Sequence, residues 1–282
     1  LMKKIFILSI LTFVSIVIGF GKESLRKWTN QEGRVISAEL ISLVNEKATL
    51  RMNNGREYVI ELSTLSDADS NYARQWQKAK ETAASMEEAG IKIGVSTVVI
   101  VETAFDQQTP PIQKGMISGW KAGLGEWRID DGALIGDELP ENNHASSLTH
   151  RLEATHLIIT AEVQLGTAQQ IAFACRDTVP PNLHLGRLYI TPDKLWIQHM
   201  NGIAKTTKAE KLVTKKVKLD PEKWYNVTIE IIGDHYRAKV GNEEIEATHS
   251  RFADAKGIIA LVNKGQGAKY RNVALWHAEA KE

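Results

Sequence analysis

The residues with most to offer chemically lie between positions 176 and 201. Arg176, Asp177, His184, Tyr189, Trp196, His199 and Asn201 fall along, or at the ends of, neighbouring strand-like segments. Arg, Asp, Asn and His side chains can fix sugar hydroxyls by hydrogen bonds, and an aromatic ring can cover the apolar face of a pyranose. These seven positions are the candidate ligand-binding set. Trp196 stands between Leu195 and Ile197, so only one side of that segment can be buried.

Hydrolytic chemistry is less well provided. Two carboxyl groups would have to face each other at about 5–5.5 Å for retention, or about 6.5–9.5 Å for inversion. A single strand can supply them as Glu-x-Asp-x-Glu, because residues two apart share a face. The nearest approach is Glu244-Ile245-Glu246, which follows a hairpin turn, and solvent exposure accounts for both of its charges. The chain lacks a Gly-x-Ser-x-Gly elbow, a His-Glu-x-x-His zinc helix and a phosphate-cradling glycine loop. Its eight histidines are scattered without ligand spacing. No catalytic residue and no metal ligand is assigned, and no cofactor is expected; a divalent metal enters only if the chain is an enzyme.

The elements that must position the candidate set are strands. From Trp224 to Trp276, β-branched and aromatic residues alternate with polar ones and stop at Gly, Asn or Asp, the pattern of half-buried antiparallel strands joined by short turns. Further strands are expected over Leu157–Leu165, Gln170–Cys175 and Arg187–Ile197, after a first strand over Lys92–Glu102 and a long loop opened by Gln107-Gln108-Thr109-Pro110-Pro111. Met200–Lys218 is Lys- and Thr-rich and reads as a solvated loop with an edge strand. So many short strands imply two sheets packed face to face. Trp127, Trp224 and Trp276, at strand starts and ends, are expected in the core.

Upstream lies a second pattern. Strands over Val35–Val44, Lys47–Met52 and Glu57–Leu62, with Asn53-Asn54-Gly55 as a tight turn, make a small barrel. Residues 67–89 then change to Ala, Gln, Glu, Lys and Met with no proline and, before Gly90, no glycine, which favours helix. Ser66 with Asp69 marks its start, and Tyr72, Trp76, Ala79, Ala83 and Met86 form an apolar stripe. At the beginning, Lys3-Lys4 precede an uncharged run from Ile5 to Phe20 and the small residues of Gly19-Phe20-Gly21, as in a cleaved secretory signal. An uncleaved N-terminal membrane anchor is the alternative, although the run is short of the about 20 residues of a span.

Composition sets the outer limits. A length of 282 residues suits about two domains. Lys and Arg number 35 against 34 Asp and Glu, so no concentrated basic balance points to nucleic acid. Cys175 is the single cysteine, which excludes an internal disulfide and a multi-cysteine zinc site, and its apolar surroundings suit an inert buried thiol.

Two stretches carry family resemblances. Residues 26–74, with Trp28-Thr29, Gly33-Arg34, Ala48-Thr49-Leu50-Arg51, Asn54-Gly55-Arg56 and Leu62-Ser63-Thr64-Leu65-Ser66, resemble the Sla homology domain 1, an SH3-like module. Such a module implies a peptide or protein partner around Trp28. The order Trp224-Tyr225, Val240-Gly241-Asn242-Glu243, Gly257-Ile258-Ile259-Ala260-Leu261 and Tyr270-Arg271-Asn272-Val273, together with Trp120 and Gly125–Leu134, resembles the bacterial 3-keto-disaccharide hydrolases, which have a concanavalin-like jelly roll. That family shows Asn-Ser-Gly before an apolar strand ending in Arg. Here Thr167-Ala168-Gln169-Gln170 precedes Ile171–Arg176, so the strand and Arg176 are kept and the polar lead-in is not. A Gln-rich segment that follows in the family is replaced by His184–Ile190.

The resulting expectation is a mainly β chain: signal peptide 1–21, SH3-like barrel 24–66, helical linker 67–91 and concanavalin-like jelly-roll β-sandwich 92–280. It is a secreted or periplasmic protein that binds carbohydrate or cell-surface glycan without conventional glycosidase chemistry. The alternatives are a 3-keto-glycoside-cleaving enzyme and a protein-binding scaffold acting through the barrel. Nucleic acid is not an expected partner, nor is membrane once the signal is removed. Mass spectrometry of the secreted protein is expected to show an N-terminus close to Lys22; full-length protein in the membrane fraction would favour the anchor.

Overall fold

A computed structural model describes residues 25–74, 76–77, 90–178, 184–201 and 208–281. The expected signal peptide, and Ala79, Ala83 and Met86 of the helical stripe, lie outside the described residues. The chain divides into two compact units, Leu1–Ala84 and Ser85–Glu282.

In the first unit β1 (Arg26–Thr29), β2 (Val35–Val44), β3 (Lys47–Met52) and β4 (Glu57–Glu61) form an antiparallel meander in chain order. A short 3-10 turn, Leu62–Thr64, follows, and Leu65 bridges back to Asn30. Helical residues 67–74 and 76–77 start where Asp69 N donates to Ser66 Oγ at 3.2 Å. They do more than link: Ala73 and Trp76 are buried with Trp28, Leu40, Leu50 and Leu62 in one core. Trp28 is 1% exposed, donates Nε1–H to the Ala38 carbonyl at 3.0 Å and meets the edge of Tyr72 at 5.8 Å.

Among the described residues the second unit has seventeen strands: β5 (Gly94–Thr103), β6 (Thr109–Ile112), β7 (Gly115–Ile117), β8 (Trp120–Leu124), β9 (Glu126–Asp130), β10 (Ala133–Asp137), β11 (Ser146–Ala154), β12 (Leu157–Gln164), β13 (Gln170–Asp177), β14 (His184–Ile190), β15 (Lys194–Asn201), β16 (Lys208–Lys216), β17 (Tyr225–Ile232), β18 (His235–Val240), β19 (Glu243–Thr248), β20 (Lys256–Lys264) and β21 (Ala268–Ala280). They make two antiparallel sheets. The eight-stranded sheet runs β16-β15-β14-β13-β20-β11-β8-β7; the nine-stranded one runs β19-β18-β17-β12-β21-β10-β9-β6, with β5 also on β21.

Alternation decides which side chains meet between the sheets. Ile171, Phe173 and Cys175 of β13 point into one core with Ile159, Ala161 and Val163 of β12 and Tyr270 of β21. Phe173 and Tyr270 meet edge-on across the gap at 6.3 Å, and Tyr270 also packs on Trp127 at 6.2 Å. Each large side chain so buried contributes about 1.5–3 kcal/mol. Burial also fixes Cys175, pushing its thiol up to about 12, with Lys256 pulling weakly the other way.

Three expectations are corrected. The segment Arg187–Ile197 is two strands, because Thr191-Pro192-Asp193 turns the chain and Thr191 N bonds the Lys194 carbonyl at 3.0 Å. The long loop after β5 holds the edge strand β6, with Pro110 and Pro111 inside the irregular pairing where no ladder N–H is needed. Trp127 is core at 0% exposure, whereas Trp224 and Trp276 are only half-buried.

Glu230 of β17 is fully buried on the outer side of the nine-stranded sheet and ties down the start of β5. It accepts from the backbone N–H of Lys92, Ile93 and Gly94 at 2.7–3.0 Å and pairs with Arg237, itself 3% exposed. Removing one partner of a buried pair leaves a charge without compensation. Glu230→Ala is therefore expected to lower the unfolding free energy by about 3–5 kcal/mol in urea titrations.

Candidate functional site

The outward side chains of the eight-stranded sheet line up in rows across the strands. One row runs Ser147, Val262, Ala172, Tyr189, Trp196, Thr214. The next runs Thr149, Ala260, Ala174, Arg187, Gln198, Lys211. A third holds Arg151, Ile258, Arg176 and His184. Small residues occupy the middle: Ala172, Ala174 and Ala260 are fully covered and form a second apolar cluster with Tyr189, Trp196 and Val262.

Tyr189 and Trp196, directly opposite each other, stack at 4.3 Å with planes 8° apart. A hydrogen-bonded chain runs on from them. Trp196 Nε1 donates to Gln198 Oε1 at 3.3 Å, Gln198 Nε2 donates to the Tyr189 hydroxyl at 3.4 Å, and Arg187 Nη1 donates to the same hydroxyl at 2.5 Å. Arg187 Nη2 lies 3.0 Å from His184 Nδ1 and 2.7 Å from Nε2, so the ring nitrogen that accepts must be unprotonated. Burial, with the charges of Arg187, Arg176 and His144, pushes His184 down to about 2.

His184 joins this face through a bulge. Cys175 pairs with Gly186 but Arg176 pairs with His184, so Leu185 is the extra residue and the alternation resets between His184 and Arg187. Gly186 points inward where a Cβ would lie 2.9 Å from the Tyr236 ring. Only glycine lets the two sheets close there.

Of the seven candidates, Arg176, His184, Tyr189 and Trp196 come together on this face. Trp196 is 7% exposed, its ring stacked on Tyr189 with Lys211 Nζ 5.1 Å from its centre, so it offers little open surface for a sugar. His199 points inward, three residues from Trp196 and so on the other side of β15. It stacks on His249 at 4.0 Å, and its Nδ1 donates to the Leu185 carbonyl at 3.0 Å. Asp177 is held at 3.1 Å by Arg251 beside a bulge. Asn201 ends β15 opposite Lys208. Sequence reasoning missed Arg187 and Gln198, which sit two residues from Tyr189 and Trp196 and so share their face.

Two cavities, of about 570 and 460 Å³, lie instead over the nine-stranded sheet. Glu102, Thr160, Glu162, Asn226 and Trp276 line the first; Trp224 and Lys239 help to line the second. Glu162, which lines both, is already matched by Arg271 at 2.5 Å, and the same arginine stacks over Trp224 at 4.2 Å. The uncommitted chemistry is on the other sheet, where Arg176 is half-buried, has its Nε buried without an acceptor, and makes no hydrogen bond or ion pair among the described residues.

No protein-family model matches the chain, and no curated protein matches it. Solved structures similar to it include the carbohydrate-binding module CBM66 from Bacillus subtilis, 16% identical over 56% of this chain and 95% of that one, with a TM-score of 0.47. The laminarinase from Rhodothermus marinus is 12% identical over 68% of this chain and 100% of that one, at a TM-score of 0.47. Porphyranase B from Zobellia galactanivorans is 12% identical over 64% and 93%, at 0.46. At TM-scores below 0.5 these likenesses establish nothing further about this chain.

A pH dependence follows from His184. Below pH 6.5 the unfolded chain takes up a proton at this imidazole that the folded protein refuses down to about 2, so stability is lost as pH falls. The slope attributable to the residue is at most about 1.4 kcal/mol per pH unit. Urea midpoints between pH 7 and 5 are expected to fall more steeply in the natural protein than in His184→Gln.

Proposed function

We propose that the chain is a secreted saccharide-binding protein that holds its ligand on the outer face of the eight-stranded sheet, around Arg176, His184 and Arg187. The observation that carries this reading is the pre-oriented set of planar polar groups there. Arg187 is fixed by Tyr189 and His184, Tyr189 by Trp196 and Gln198, and Arg176 has its donors uncommitted. Saccharides are recognised by such planar, multidentate hydrogen-bonding groups, and donors already held in place lose little entropy on binding. Tyr189 accepts two hydrogen bonds, which leaves its own hydrogen to donate. The resemblance to the 3-keto-disaccharide hydrolases, whose pattern keeps Arg176 at a strand end, supports the same face. The two-sheet antiparallel arrangement supports a concanavalin-like jelly roll, and the meander with its Asn30–Leu65 bridge supports an SH3-like first unit. Among the described residues no helix is long and apolar enough to cross a membrane.

Trp196 acts in this scheme as the brace beneath Tyr189. Trp196→Ala is expected to cost about 3–5 kcal/mol of stability, as for a core Trp. Arg187→Ala, which removes a charged donor worth about 1.5–3 kcal/mol, is expected to weaken saccharide binding roughly ten- to a hundredfold while the fold is kept. A glycan array followed by calorimetry on the binders tests this. Absence of any saccharide ligand, or unchanged affinity in Arg187→Ala, would overturn the reading.

A further inference from the structure

The charges on the two outer faces are arranged differently. On the nine-stranded sheet every outward arginine among the described residues has an acid: Arg128 has Asp137, Arg237 has Glu230 and Glu244, and Arg271 has Glu162. On the eight-stranded sheet none of the three outward rows contains Asp or Glu, yet they hold Arg151, Arg176, Arg187 and Lys211. Arg176 and Arg187 are the only half-buried or buried arginines among the described residues without an ion-pair partner, and both have a buried Nε with no acceptor. The segments 179–183 and 202–207, which adjoin β13, β14, β15 and β16 in sequence and lie outside the described residues, are Val-Pro-Pro-Asn-Leu and Gly-Ile-Ala-Lys-Thr-Thr and contain no Asp or Glu.

Two guanidinium groups kept partly out of water, on adjacent strands, with no counter-charge, are costly unless something else supplies the charge. Each raises the cost of the other, and the Arg187 charge, after burial, weakens the hold of Arg176 on its proton. His184 adds no relief, because it stands as a neutral acceptor for Arg187. Asp177, next in sequence to Arg176, is drawn off to Arg251 instead.

We propose that the ligand of this face is an acidic saccharide, whose carboxylate or sulfate group sits between Arg176 and Arg187 and supplies the missing charge. This rests on the saccharide reading above and sharpens it. A guanidinium matches the two oxygens of a carboxylate or sulfate with parallel N–H bonds, which an ammonium cannot. The sugar hydroxyls then face Tyr189, Thr149 and the end of Gln198. Lys211 and Arg151, at opposite ends of the rows, extend the positive field along a chain of such units.

The test compares one protein against three oligosaccharide series of equal length in low salt: a neutral glucan, a polyuronate and a sulfated galactan, with inorganic sulfate as control. The polyuronate or the sulfated series is expected to bind at least about tenfold more tightly than the glucan, with that preference shrinking as salt rises. Which of the two binds better distinguishes carboxylate from sulfate. Arg176→Gln is expected to abolish the preference while circular dichroism and the melting temperature stay near those of the natural protein; Arg176→Lys, keeping charge without the fork, is expected to restore only part of it. Equal binding of neutral and acidic series would overturn the proposal and leave saccharide binding standing. Binding of no series would remove the saccharide reading itself. Inorganic sulfate binding as tightly as the sulfated oligomer would mean a bare anion site and would also overturn the proposal.

Discussion

The filling between the two sheets sets the terms for everything else in the second unit. Once Phe173, Leu188, Ile197 and Leu261 face inward against Tyr270 and Ile159, a period of two leaves no choice about what faces out: Ala174, Arg187, Gln198 and Ala260. The polar face is the complement of the core. Its small residues matter as much as its charged ones, because alanine at 172, 174 and 260 lets long side chains from the neighbouring strands lie across the sheet.

Much of the strand framework was legible. The alternation over 35–62 gives the bounds of β2 and β3 as the structure has them, since there the hairpin turn and the hydrophobic period agree. Agreement failed where the strands are buried on both faces. Arg187 to Ile197 is apolar enough to pass for one strand, and the turn at Thr191-Pro192-Asp193 is short. Periodicity could have separated Trp196 from His199, an odd spacing apart, and grouped Trp196 with Gln198. No local signal placed His184 on the same face as Arg187, because the bulge at Leu185 exists only through pairing with Cys175 and Arg176. Strand partners distant in sequence decide such details, and a single sequence does not name them.

The outer faces show two ways of handling charge on a sheet. Around Glu230, three backbone N–H groups and an arginine satisfy one carboxylate, and the cluster fastens the first strand of the unit. Such a cluster is complete in itself and rigid. On the other sheet Arg187 is held in place by His184 and by Tyr189, itself stacked on Trp196, while Nε of Arg187 and Nε of Arg176 are buried with no acceptor among the described residues. Structural ion pairs close on themselves, whereas recognition needs valences left open.

Cys175 occupies the position next to Arg176 in the same strand, its sulfur on the opposite side, sealed in the core. As the chain's single thiol it is a natural reporter of how often that strand opens, since a labelling reagent reaches it only when the sheets part. A molecule that settles on the closed outer face depletes the open forms in proportion to its occupancy. Its affinity is thereby written into the labelling rate of an atom it never touches, and can be weighed from inside the protein with nothing attached to the surface where it binds.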